Sequence, residues 1–121
     1  MELLEIGKRA KEAALKIGNL GTNEKNSALC AVADALEEAA QEIIRANELD
    51  LENGRNHGMP GGLLDRLMLN EARIRQMADG LRQVASLPDP IGEVISMKKR
   101  PNRLMIGQKR VPLGVVGMIY Q

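Results

Sequence analysis

The chain has one tyrosine and neither phenylalanine nor tryptophan in 121 residues, so any core must be built from Leu, Ile, Val, Ala and Met. The exposed aromatic platforms that hold single-stranded nucleic acid are therefore missing. The lone cysteine, Cys30, excludes an internal disulfide framework and fits a reducing compartment. His57 is the sole histidine, which puts a Cys/His zinc site out of reach and leaves one candidate base for a histidine-dependent triad. No apolar run approaches the roughly 18 residues of a membrane span. Glu2 and Glu5 stand where a signal peptide would carry positive charge. What is present, 44% apolar and 27% charged residues, is the make-up of a folded chain and argues against disorder. These features predict a soluble, cytoplasmic protein with room for one domain and no membrane partner.

The net charge of +1 hides an asymmetry. Residues 1–90 carry 11 basic and 15 acidic side chains, whereas residues 91–121 carry 6 basic and 1 acidic. A split of this kind suits either an anionic partner or two structural layers with different solvated faces.

Residues 1–90 read as a helical segment. Leu3, Ile6, Ala10, Ala14 and Ile17 recur at helical spacing with charged residues between them, and Gly18 or Gly21 is the expected stop. Thr22 or Asn23 is the expected cap of a second helix with the apolar face Leu29, Val32, Ala33, Leu36 and Ala40. The pattern runs on to Asn53-Gly54 and His57-Gly58, too long for one ordinary helix, so a break near residues 46–48 is expected. Pro60 suits the first turn of a short helix over Leu63, Leu64 and Leu67. Asn70 reads as the cap of a last helix that stops before Leu87-Pro88.

After Pro90 the helical period is lost. Residues 91–100 and 104–111, joined by Pro101-Asn102, predict a β-hairpin over 91–111 with one basic face and with Ile91, Ile95 and Met97 sharing the other. The continuous apolar run over 113–119 is typical of a strand buried on both faces of a parallel sheet. Such a strand needs neighbours and crossover connections, so the chain is expected to be an amino-terminal piece of a larger α/β protein.

No residue constitutes an active site by itself. His57, at a predicted helix end, fits a capping role, because a helix C-terminus favours a cationic ring. Cys30 lies beside Leu29 and Val32 with no histidine nearby in sequence, and reads as a small buried hydrophobe. Glu37, Glu38 and Glu42 read as a solvated helix face. Gly114 and Gly117 form a GxxG spacing without the third glycine of a dinucleotide fingerprint, and are expected to allow close backbone packing or approach of a ligand. Lys98, Lys99, Arg100, Arg103, Lys109 and Arg110 could attract nucleic acid, but lysines also protect edge strands from unwanted pairing.

Several blocks carry a resemblance: Glu24-Lys-Asn26, Ala46-Asn47 with Asp50, Leu64-Asp-Arg-Leu67, Ala85-Ser-Leu-Pro-Asp-Pro-Ile-Gly-Glu-Val94, and Arg110-Val-Pro-Leu-Gly-Val-Val-Gly-Met-Ile-Tyr120. In this order, and over nearly the whole chain, they resemble the amino-terminal part of γ-glutamyl phosphate reductase (glutamate-5-semialdehyde dehydrogenase), of the aldehyde dehydrogenase superfamily. The resemblance implies an α/β fold of aldehyde dehydrogenase type for the full protein, and reduction of L-glutamyl 5-phosphate with NADPH in proline biosynthesis. It implies an amino-terminal helical segment over 1–90, a hairpin arm for homo-oligomer contacts over 91–111, and the first strand of an NADP-binding domain over 112–121. By likeness, Ile119, Tyr120 and Gln121 would lie along the cofactor, mostly through backbone groups. The family's catalytic cysteine lies downstream and Cys30 does not match it, so the isolated chain is expected to be inactive. Gln121 stands where the family has an acidic residue. Glutamate 5-kinase is an implied partner. The alternative from the residues alone is a non-catalytic helical module that binds a protein partner.

Overall fold

The computed structural model describes residues 2–119. Its elements are α1 (Leu3–Ile17), α2 (Thr22–Glu38), α3 (Ala40–Asn56), α4 (Gly61–Leu67), α5 (Glu71–Ser86), β1 (Val94–Lys99) and β2 (Met105–Lys109). They fall into two units, one of residues 23–87 and the other of the stretches on either side of it.

The 23–87 unit is built around α3. Its buried residues are Ala33 on α2, Asn47, Leu51 and Gly54 on α3, and Ile74 and Ala78 on α5. Val32 is exposed, so it lies off the α2 face on which Ala33 is buried. The junction of α2 and α3 falls at Ala39, not at residues 46–48. Even there the helical bonding carries through, with Ala39 N–H donating to Ala35 O and Ile43 N–H to Ala39 O, both at 3.0 Å. Residues 46–48 lie inside α3 because Asn47 directs its side chain to distant partners and leaves the local backbone helical. Its Nδ2 donates to Leu67 O and its Oδ1 accepts from Leu69 N–H, each at 2.8 Å. One buried amide thus satisfies a carbonyl and an N–H at the α4–α5 connection.

Asn53-Gly54 does not stop α3 either. Gly54 is buried, and a Cβ there would come within 3.1 Å of Leu64 Cδ2 and 3.2 Å of Met59 Sδ, so its role is close packing. The stop is His57-Gly58. Gly58 has φ +72°, and Met59 N–H donates to Gly54 O while Gly58 N–H donates to Arg55 O, a Schellman cap. Pro60 sits one residue ahead of α4, its carbonyl accepting from Leu63 and Leu64 N–H at 3.0 Å. Asn70 caps α5 by accepting from Arg73 N–H at 2.8 Å, and α5 ends at Ser86, ahead of Leu87-Pro88, as expected. Arg73 also donates to the backbone oxygens of Asp65 and Met68 and pairs with Asp65 Oδ1 at 3.0 Å, closing the α4–α5 corner from outside.

In the other unit α1 has no buried residue, and Leu3, Leu4, Leu15 and Ile17 stand exposed. Asp89 accepts from Thr22 Oγ1 at 2.9 Å and from Ile91 N–H at 3.0 Å, which ties the start of α2 to the loop after α5. β1 and β2 form the expected antiparallel hairpin, but with a bulge between Val94 and Ser96. Val94 pairs with Lys109 and Met97 with Gly107, so the bulge brings Val94 onto the face of Met97. Lys98 opposes Ile106 and Lys99 opposes Met105, so the lysines alternate and no single face is basic. The Met97 thioether covers Gly107, where a Cβ would lie 2.8 Å from Met97 Cε.

Two substitutions test the helical unit. Asn47→Ala strands a buried donor and acceptor, and we expect a loss of about 2–3 kcal/mol in urea unfolding. Gly58→Ala forces a Cβ into the left-handed region, for an expected loss of about 1–2 kcal/mol by the same measurement.

Candidate functional site

Residues 110–119 contain no strand, and the run from Leu113 to Ile119 is solvent-exposed. The both-face-buried strand expected over 113–119 has no partner strand among the described residues, and a lone apolar segment gains no ladder bonds by extending. Ile119, the first of the expected cofactor-lining residues, is 92% exposed, while Tyr120 and Gln121 lie outside the described residues. Gly114 adopts φ +90°, so its glycine is required by backbone conformation. A Cβ at Gly114 or Gly117 would meet open space, so the close packing expected at both is absent among the described residues.

Residues 112–115 do meet α1. They form one wall of an open cleft of about 710 Å³ whose other wall includes Gly7, Lys11, Ala14 and Gly18. Pro112 Cγ lies 3.7 Å from where a Gly18 Cβ would stand, which puts the segment beside the end of α1. The lining is mainly apolar, with Lys11 the one charged side chain on it. Such a surface can hold apolar groups; it contains no acid–base pair or nucleophile.

The remaining candidates are dispersed. His57 is the C-cap residue of α3, and its Nδ1–H donates to Asn53 O at 2.7 Å, in line with the expected capping role. Cys30 is half-buried on α2. Of the hairpin cations, Arg110 pairs with Glu93 at 3.6 Å, and Arg103 holds a left-handed turn position at φ +71°. No group of three or more metal-ligating side chains occurs among the described residues.

The strongest electrostatic feature is one that sequence reading misses. Arg82 on α5 pairs with Asp34 at 2.7 Å and Glu37 at 3.0 Å on α2, and with Asp79 at 3.2 Å one turn back on α5. Glu37 is therefore not simply part of a solvated face. Its hydrogen bond to the Arg82 guanidinium, with the attraction of that charge, holds its carboxyl below the ordinary carboxylate range. Only the Asp79–Arg82 spacing was visible beforehand; the α2 partners are 45 and 48 residues away. A second polar contact, Gln41 Nε2 to Glu71 Oε1 at 2.7 Å, joins α3 to the start of α5. Because the Glu37 pKa is depressed on folding, its stabilisation is present above about pH 4.5 and is lost as pH falls through the depressed value. We expect Arg82→Gln to flatten the acid limb of a stability–pH profile while lowering stability at neutral pH, as read by urea unfolding at a series of pH values.

No family model matches the chain. Individual relatives do. The chain is 59% identical over 119 residues to the γ-glutamyl phosphate reductase of Clostridium novyi, covering 98% of this chain and 28% of that protein. It is 55% identical over 121 residues to that of Moorella thermoacetica, covering 100% of this chain and 29% of that protein. The chain thus spans under a third of the length of the curated relatives it matches. Among solved structures, the γ-glutamyl phosphate reductase of Thermotoga maritima superimposes with a TM-score of 0.85 at 42% identity, over 93% of this chain and 27% of that one. That of Saccharomyces cerevisiae gives 0.81 at 29% identity, over 89% of this chain and 28% of that one. The helices and the antiparallel hairpin match the amino-terminal part of those reductases. Over the stretch that it shares with them, the chain belongs to the γ-glutamyl phosphate reductase family.

Proposed function

We propose that this chain is the amino-terminal part of an enzyme that reduces L-glutamyl 5-phosphate to L-glutamate 5-semialdehyde with release of phosphate, in cytoplasmic proline biosynthesis. The observation that carries the reading is the 59% identity to a γ-glutamyl phosphate reductase over 98% of the chain, joined to a backbone that superimposes on solved members. No described helix is long and apolar enough to cross a membrane.

Reducing an acyl phosphate requires a thiolate that displaces phosphate, donors for the developing oxyanion, and a hydride source. NADPH supplies the hydride when bound. The described residues do not by themselves make a dinucleotide cradle: Gly114 and Gly117 precede no helix, and Ile119 stands open. We assign this chain no chemical step. Its proposed share is a strand end at Ile119, Tyr120 and Gln121 running beside the cofactor. Half-buried Cys30, on an amino-terminal helix, is not the nucleophile in this reading.

The proposed division of labour follows the change in pattern along the chain: helices over 1–90, an arm over 91–111, and the opening strand of an NADP-binding domain over 112–121. The arm's exposed Val94, Ile95, Met97, Met105 and Ile106 suit contact with a second copy of the enzyme. Acyl phosphates hydrolyse readily, so transfer of the substrate from glutamate 5-kinase belongs to the same proposal.

Two assays test it. The isolated chain should oxidise no NADPH in the presence of glutamyl phosphate. A chimera joining this chain to the remainder of the Clostridium novyi relative should match that enzyme in phosphate-dependent reduction of NADP with glutamate 5-semialdehyde. A chimera that folds cooperatively yet lacks this activity would overturn the proposal, and so would activity in the isolated chain.

A further inference from the structure

We draw no further inference here: the strongest candidate, the apolar cleft between α1 and residues 112–115, is an unpartnered face, and nothing in the structure shows what covers it.

Discussion

The amide of Asn47 holds the helical unit to one arrangement. It is a polar group buried in the middle of α3, and both of its hydrogen-bonding ends are used on the backbone between α4 and α5. That choice fixes where α4 ends and where α5 begins, and Ile74 and Ala78 on α5 are buried in the unit whose centre is α3. With no phenylalanine or tryptophan and few large residues fully buried, shape-matching of apolar side chains alone specifies little. Directional bonds take over the task. Asn47 works from inside, Arg73 from the outer side of the same corner, and Arg82 where α5 meets α2.

These polar clamps differ in kind. Asn47 is neutral and shielded from water, so its bonds carry their full directional weight and are insensitive to salt. Arg82 and its carboxylates are open to solvent, where screening leaves each exposed ion pair a small contribution. What Arg82 supplies is geometry: one planar guanidinium engages Asp34 and Glu37 together, setting how α5 turns relative to α2.

Features written in local chemistry were legible before the fold was known. The Asn70 cap, the end of α5 ahead of Leu87-Pro88, the His57-Gly58 stop and the hairpin with its Pro101-Asn102 turn all depend on residues within a few positions of one another. What was misread depends on distant partners. The break expected near residues 46–48 rested on helix length alone and falls instead at Ala39, and Gly54 looked like a stop because its packing against Leu64 and Met59 is invisible locally. The bulge between Val94 and Ser96 brings Val94 onto the face of Met97, against the alternation that sequence spacing assumed. At the candidate site, the apolar run 113–119 was read correctly as continuous, but strand formation is a property of a pair and not of one segment.

The hydrogen bond from Thr22 to Asp89 places the two boundaries of the 23–87 stretch next to each other. A stretch whose ends are neighbours behaves topologically as a cassette. It can be lengthened, shortened or exchanged without re-routing the flanking chain, because the flanks need only a short bridge to rejoin.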